Sequence, residues 1–213
     1  MSTNFITNNK QQKTLKARLN TLISISEELK FLVGYFYFSG WSDIYLSLQK
    51  NPQQKLKLLV GLQVCNYLGN IIEYADQKEN TSMDEEFQKY LISLGFALNN
   101  EEMDTEEFYN QVGFFVQMIE EDRLEIRKTE NPNHAKLYLF HLNEDQAEKQ
   151  GMSGQFITGS SNLTRSGLHN QEEFNVEIKD YGFKEAVLYF DELWEKAVPI
   201  TEPQENRNIL IDF

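Results

Sequence analysis

The sequence lacks the features of a secreted, membrane-spanning or disulfide-stabilised protein. Of its 213 residues only Cys65 is a cysteine, so the chain cannot form an internal disulfide or a cysteine-rich zinc site, which fits a reducing compartment. No segment approaches the ~18 consecutive apolar residues of a membrane helix, and the first residues lack the basic-then-apolar order of a secretory signal. We therefore expect a cytoplasmic protein with no membrane partner.

Positive charge is also scarce, because 20 Lys and Arg stand against 33 Asp and Glu, a formal net charge of -13. This total argues against a nucleic-acid partner, since a phosphate-binding surface normally carries excess Lys and Arg. The charge is uneven, however: the segment from Ile71 to Asp122 holds 14 acidic and 2 basic residues. Such a run is typical of a solvated helical face. It does not exclude nucleic-acid binding elsewhere on the surface.

The apolar patterns of the first half predict alternating helices and strands. Residues 12–28 have helical spacing, and 30–39 and 55–62 have the dense apolar composition of strands buried on both faces. A helix around 41–50 separates these two strands, and this order predicts a right-handed crossover with a parallel strand pair. Residues 66–122 have a helical pattern and predict an insert.

The second half predicts more strands and a closing helix. Strands are expected at 123–128, 134–142, 154–160 and 172–180. A loop is expected at 143–154, an amphipathic helix at 182–197, and a linker leading into a further strand after Pro199. Together these elements predict one α/β domain over residues 1–213, with a mixed sheet of about six or seven strands, helices on both faces and an acidic helical insert at about 66–122.

The segment His134–Lys136 places two reactive side chains on one side of a predicted strand. Because strand residues two apart face the same way, His134 and Lys136 project together, whereas Ala135 faces the other side. An imidazole that can act as a nucleophile then lies beside a fixed cation. The motif alone is weak, since a turn histidine followed by a surface lysine has the same spacing.

The segment GSSNLTRSGL (159–168) has the composition of a phosphate-binding turn. Gly159 allows a close backbone approach, Ser160 and Ser161 offer hydroxyl groups and amides, and Asn162 can donate its amide hydrogens to a phosphate oxygen at a helix N-terminus. A plain capped turn would have similar residues, so the two interpretations stay open at this point.

In combination, HAKLYLF and GSSNLT resemble the signature of the phospholipase D superfamily, in which an HxK strand is followed by a G-S-x-N turn. The segment NQEEFNVEI (170–178) resembles the acidic strand of its nuclease branch. One position departs from the common pattern, because His141 stands where an Asp usually follows the Lys by five residues. Restriction-type and helicase-associated nucleases dispense with that Asp and place a Glu about one strand further on, which is the position of Glu173.

The resemblance implies a role for each matched residue. His134 would attack the phosphodiester phosphorus and form a phosphohistidine. Lys136 and Asn162 would neutralise the non-bridging oxygens, and Glu173 would hold the tautomer of the imidazole. Substrate contacts are expected from Ser160, Ser161 and Arg165. This scheme requires neither a metal ion nor another cofactor.

Two neighbouring glutamates compete for the acidic role, and strand alternation separates them. Glu173 shares a face with Glu177, whereas Glu172 is in phase with the apolar residues. This favours Glu173, with Glu177 as a reserve. The apolar residues of this strand are expected to face the core: Phe174, Val176 and Ile178.

Displacement at phosphorus also needs an acid on the far side to protonate the leaving oxygen. The chain contains one HxK motif and three histidines, and His141 and His169 are expected to be structural. The resemblance therefore implies a homodimer in which two His134 rings face one phosphate. It also implies a fused or associated helicase, in which case the chain is the N-terminal part of a longer protein.

We thus expect a metal-independent phosphodiester hydrolase, an endonuclease that cleaves DNA. Two alternatives stay open. A phospholipid could be the substrate, although no basic amphipathic or apolar membrane-binding segment is found. A non-catalytic nucleic-acid-binding module of the same fold is favoured by the acidity of the chain and by His141.

Overall fold

The computed structural model describes residues 4–8, 14–63, 105–179 and 181–212. Eight strands lie in these ranges: β1 Phe5–Ile6, β2 Ser26–Tyr35, β3 Lys55–Gln63, β4 Leu124–Lys128, β5 Leu137–Leu142, β6 Gly154–Gly159, β7 Asn175–Ile178 and β8 Val198–Pro199. They form one sheet in the order β1-β7-β6-β5-β2-β3-β4-β8. The strand count exceeds the predicted six or seven because β1 and β8, at the two edges, are too short to show a sequence period.

The described helices are α1 Leu15–Ile23, α2 Phe38–Gln49, α3 Glu106–Glu120, α4 Glu144–Gln150, α5 Phe183–Lys196 and α6 Gln204–Asp212, with a π-helical turn at Ser166–Asn170. Strand β2 pairs in parallel with β3, as the β2-α2-β3 order predicts. Strand β2 also pairs antiparallel with β5, so the sheet is mixed. Helix α3 lies within the segment predicted as a helical insert, and residues 66–104 of that segment lie outside the described ranges.

Helices cover both faces of the sheet, and each face buries its own apolar layer. The first layer lies between the sheet and α1, α2 and α3, where Phe31, Tyr138 and Phe140 pack against Trp41 and Phe115. The second layer lies between the sheet and α5, and it contains Leu32, Leu59, Leu137, Leu139, Phe156, Phe190 and Trp194. This arrangement confirms the predicted α/β architecture.

Two segments have a different structure from the predicted one. The expected loop at 143–154 contains α4, whose start is capped by the Asn143 side chain accepting from Gln146 N at 3.0 Å and whose end is Gly151 at φ 66°. Helix α4 buries no residue, so it has no apolar period. The expected strand after Pro199 is helix α6, anchored where Asn206 donates to Ile200 O at 2.7 Å.

Strand β7 buries its polar residues more deeply than its apolar ones, although Ile178 packs against the second apolar layer as predicted. Phe174 precedes the strand and is 56% exposed, whereas Asn175 and Glu177 are 0% and 5% exposed. The predicted facing of Phe174 toward the core is therefore wrong. The physical reason is pairing: Arg18 of α1 binds Glu177 through two hydrogen bonds of 2.6 and 2.5 Å, and this satisfies the buried charge.

The ion pair between Arg18 and Glu177 makes a pH-dependent contribution to stability. Burial raises the pKa of Glu177, but hydrogen bonds from Arg18 and Lys179 outweigh it, and the pKa falls below the ordinary carboxyl value. A carboxylate with a lowered folded pKa stabilises the protein above its unfolded pKa, and this stability is lost as the pH falls through the folded pKa. We expect Glu177→Gln to lower the free energy of unfolding by about 2 kcal/mol at neutral pH.

Urea unfolding of Glu177→Gln and wild type, at neutral pH and at a pH below the folded pKa, measures this contribution. The difference should disappear in acid. Glu172→Gln, a change at an exposed neighbour, is the control and should match wild type at both pH values. Equal midpoints for Glu177→Gln and wild type at neutral pH would contradict the assignment.

Candidate active site

His134 and Lys136 lie immediately before β5, which begins at Leu137, three residues later than predicted. Their directions nevertheless follow the predicted alternation. Ala135 packs against the second apolar layer, with Leu137. Lys136 Nζ lies on the other side, 2.6 Å from His134 Nδ1, and it donates to His134 O at 2.6 Å. The HxK motif therefore forms a contiguous imidazole–ammonium pair.

The two members of this pair differ in exposure. His134 is exposed, whereas Lys136 is only 4% exposed. Burial lowers the pKa of Lys136, and the nearby charge of Glu173 opposes this effect. An ammonium group has three N–H donors, and in the described part of the chain its hydrogen-bond partners are all atoms of His134. The pair therefore presents an exposed imidazole beside a buried cation whose hydrogen-bond partners in the described part of the chain all lie in one residue.

The turn after β6 is held by hydrogen bonds to Ser161. Ser161 is fully buried: its N–H donates to Asn175 Oδ1 at 3.3 Å, and its Oγ accepts from Asn175 Nδ2 at 2.9 Å. Tyr138 donates its hydroxyl to Ser161 O at 2.8 Å. These contacts make Ser161 a support of the turn and keep it from the surface. Ser160 is exposed, and its Oγ accepts from Phe174 N at 3.0 Å, so its hydroxyl hydrogen is free to donate.

The side chain of Asn162 is oriented by the end of β2. Its Oδ1 accepts a hydrogen bond from Tyr35 N at 3.0 Å. This bond fixes the oxygen of the amide, and the Nδ2 hydrogens make no hydrogen bond to a described residue. The orientation suits donation to an anion.

The chain beyond Asn162 is fastened to the start of α2. Tyr37 N donates to Leu163 O at 3.2 Å, and Arg165 N donates to Ser39 Oγ at 3.3 Å. Gly40 lies so close to Leu163 O that a Cβ atom would clash with it. The turn therefore packs against the start of α2. The Arg165 side chain is exposed.

Glu173 lies near the buried cation but forms no hydrogen bond within the described residues. Burial lowers the pKa of Lys136, and the charge of Glu173 opposes this effect. Burial raises the pKa of Tyr138, and the charge of Glu173 adds to this effect. Tyr138 therefore keeps its proton and acts as a donor. Toward the described residues, the lone pairs of the Glu173 carboxylate are open to a new donor.

Three residues of this site were not predicted from the sequence. Tyr35 places its ring 6.5 Å from the His134 ring, at an angle of 88°. Tyr138 and Asn175 hold the turn through Ser161. The position of Tyr35 at the carboxyl end of a buried parallel strand was a usable signal, because such ends line ligand sites in α/β sheets. The other two carry no motif.

The other two histidines lie apart from this pair. His141 contacts the Phe183 ring at 5.0 Å on the α5 side of the sheet, the opposite face from His134, as the alternation predicts. Burial lowers the pKa of His141, and Glu28 opposes this. His169 Nε2 lies 3.0 Å from Asp43 Oδ1. Both contacts join secondary-structure elements.

The described ranges contain no group of three His, Cys, Asp or Glu residues arranged to hold a metal ion. A search of those same ranges finds no helix with the length and apolar character needed to cross a membrane. What the site does offer is an exposed imidazole, a buried ammonium group and oriented amide and hydroxyl donors. This set can bind an anion and attack it.

No protein-family model matches the sequence, and no curated protein matches it significantly. Phosphatidylserine synthase from Haemophilus influenzae Rd KW20 superposes with a TM-score of 0.52 at 14% identity, over 98% of this chain and 44% of that chain. Polyphosphate kinase from Porphyromonas gingivalis gives 0.51 at 8% identity, over 92% and 23% of the two chains. This chain thus spans less than half the length of either protein.

Nuc from Salmonella typhimurium, a phospholipase D family member, has a TM-score of 0.46 at 11% identity, over 92% of this chain and 95% of that chain. Identities in this range speak for the fold alone. The HxK segment precedes β5 and the G-S-x-N turn follows β6. Because these neighbouring strands are antiparallel, the two motifs lie side by side at the same end of the strands. The chain therefore shares the mixed α/β fold of the two structures with TM-scores above 0.5, and this fold brings together the two motifs that resemble the phospholipase D superfamily.

Proposed function

We propose that this protein is a phosphodiesterase that cleaves DNA endonucleolytically, without a metal ion, through a phosphohistidine on His134. The observation that carries the proposal is the 2.6 Å contact between the exposed His134 ring and the buried Lys136 ammonium. A buried cation whose partners among the described residues are the ring and the backbone carbonyl of one exposed histidine is costly unless an anion binds there. A phosphodiester supplies that anion and the electrophile in one group.

In the first step, His134 Nε2 attacks phosphorus, the P–N bond forms and the bond to the leaving oxygen breaks. Attack uses the Nε2 lone pair, so Nδ1 must carry the ring proton. Lys136 is a donor only, and it turns from Nδ1 to a charged phosphate oxygen, which is the stronger acceptor. Glu173 then accepts a hydrogen bond from Nδ1–H of His134. Its carboxylate has no hydrogen bond to the described residues that would compete. Water breaks the P–N bond in the second step.

Two donors stabilise the charge on the non-bridging oxygens once the substrate is bound. Lys136 supplies an ammonium group, and Asn162 supplies the Nδ2 hydrogens that its bond to Tyr35 N directs. We assign contacts with the substrate backbone to the Ser160 hydroxyl and to the exposed Arg165 guanidinium. Donors that need no rearrangement during the reaction are the most effective ones.

We expect Asn162→Ala to lower kcat by roughly 10²–10³-fold, as for loss of one preorganised donor. Asn162→Asp is the sharper variant, because it retains the acceptor for Tyr35 N while replacing two donors by a negative charge. Single-turnover cleavage of a labelled oligonucleotide measures both. Activity of Asn162→Asp equal to wild type would remove Asn162 from the site.

The leaving oxygen needs an acid, and we assign it to His134 of a second copy across a two-fold axis. Such a dimer should bury at least ~1,000 Å² in total. Mixing wild-type and His134→Ala protomers should give heterodimers that lack either the nucleophile or the acid, so activity should fall faster than the wild-type fraction. Linear dependence on that fraction, or a cleaving monomer in light scattering, would contradict the dimer. The helicase partner stays a prediction from the resemblance, and the cytoplasmic location stays a prediction from the composition.

The deciding experiment is incubation of purified protein with supercoiled plasmid in excess EDTA. Nicked or linear product is expected with wild type and not with His134→Ala. Loss of cleavage in EDTA with recovery in magnesium would overturn the metal-independent mechanism. Binding without cleavage of any DNA or RNA would favour the non-catalytic module. Release of a headgroup from phospholipid vesicles, with plasmid untouched, would favour the lipid alternative.

A further inference from the structure

We infer that Tyr35 is a positioning residue that holds the two halves of the site, His134 and Asn162, in register with each other. The inference rests on the proposed role of His134. It assigns Tyr35 no contact with the substrate. Its two contacts with the site come from different parts of the residue, because the backbone N–H reaches Asn162 and the ring reaches His134.

The position of Tyr35 is fixed by an irregularity in the sheet. Strands β2 and β3 pair in register up to Val33 and Val60, and then Tyr35 pairs with Gln63, so β3 holds an extra residue there. Such bulges re-aim side chains and are frequent beside active sites. The bulge is bonded to the segment that carries the proposed nucleophile. The carbonyl oxygen of Gly61, within the bulge, accepts a hydrogen bond at 3.0 Å from the N–H of Asn133, the residue before His134.

Gly61 is required for this close approach. A Cβ atom at position 61 would overlap the carbonyl group of Asn133, the residue immediately before His134. At the bulge, Gly61 of β3 therefore holds the segment before His134, and Tyr35 of β2 presents its ring to His134. Both sides of the His134–Tyr35 contact are anchored to the same irregular step of the sheet.

The ring of Tyr35 packs perpendicular to the His134 ring, with centroids 6.5 Å apart and an angle of 88°. This is a favoured aromatic geometry, and it restricts rotation of the exposed imidazole. Lys136 contacts one edge of the same imidazole. Without the Tyr35 ring, His134 retains the cation but loses the neighbour that limits where Nε2 points. A misplaced nucleophile reacts more slowly although substrate binding is unchanged.

The test compares Tyr35→Leu, which removes the aromatic ring, with Tyr35→Phe, which retains it. Both variants keep the backbone N–H that binds Asn162. We expect Tyr35→Leu to lower kcat by roughly 10–100-fold with KM nearly unchanged, and Tyr35→Phe to stay within about threefold of wild type. Tyr45→Leu, a change to a 6% exposed tyrosine of the first apolar layer, serves as a stability control and should lower Tm without lowering kcat of the folded protein.

A second readout follows the imidazole directly. The chain has three histidines, so the ring signals in a heteronuclear NMR spectrum are assigned by single substitutions. Tyr35→Leu should move the His134 signal and leave His141 and His169 in place, and Tyr35→Phe should leave all three in place. Any fall in activity that follows Tm alone, or an unmoved His134 signal in Tyr35→Leu, would overturn the inference.

The outcomes separate this inference from the proposed function. If Tyr35→Leu cleaves like wild type while His134→Ala is inactive, the inference is wrong and the proposed function stands. If His134→Ala cleaves like wild type, the proposed function is wrong. The NMR result then decides alone whether Tyr35 orients the His134 ring.

Discussion

We expect His134→Ala to abolish cleavage and covalent labelling together, a loss of roughly 10⁴-fold or more, as for removal of a nucleophile. During turnover of an oligonucleotide labelled at phosphorus, wild type should accumulate an acid-labile, base-stable label on the peptide containing NPNHAK. Rapid quench and peptide mapping measure it. Cleavage by wild type without any label would replace the two-step scheme by direct attack of water.

The other two histidines provide matched controls for this experiment. His141→Ala changes a ring on the opposite face, and His169→Ala changes a ring paired with Asp43, so neither should lose the label. Each should keep kcat within about threefold of wild type at a temperature where it stays folded, since neither touches His134. Transfer of the label to another peptide in His134→Ala would move the nucleophile elsewhere.

Lys136→Met should lower kcat by roughly 10³-fold or more, because it removes the buried charge opposite the non-bridging oxygens while keeping the volume of the side chain. The same cation predicts a pH effect. Burial lowers the pKa of Lys136, so wild-type activity should fall with rising pH before an ordinary lysine would deprotonate. The pH–rate profile of kcat measures this limb.

The matched control for Lys136 is Lys30, another lysine that is buried beside the sheet. Lys30 binds Asp191 on α5 at 2.8 Å, away from His134. Lys30→Met should lower Tm and leave the alkaline limb of the wild-type pH profile unchanged. If the residual activity of Lys136→Met still fell at high pH as in wild type, the alkaline limb would belong to a group other than Lys136.

The strands of the sheet that position the site were predictable because their composition and their environment agree. Residues 30–39 and 55–62 are dense in apolar residues, and β2 and β3 are buried on both faces. The start of β2 at Ser26 was missed because Ser26, Glu27 and Glu28 have no apolar alternation. Helix α4 was missed for the corresponding reason, although Asn143 and Gly151, its two caps, were visible in the sequence.

The candidate site was predictable where a motif names the residue and not where tertiary packing supplies it. His134, Lys136 and Asn162 have fixed spacing, and the structure brings the first two into contact. Tyr35 is one of several aromatic residues in the segment 30–39, and only the bulge opposite it gives it a special position. The burial of Glu177 depends on Arg18, whose distance in sequence hides the pairing. Strand alternation alone cannot reveal such a partner.

The order of the strands also sets when the site can form during folding. Tyr35 and Asn162 are 127 residues apart in sequence, and the turn reaches Tyr35 only when both β5 and β6 are in the sheet beside β2. The local elements β2, α2 and β3 lie close together in the chain and can assemble earlier. Contacts of long sequence separation require the largest loops to close, so they form late. A partly folded chain therefore contains most of the secondary structure of the site without its chemistry.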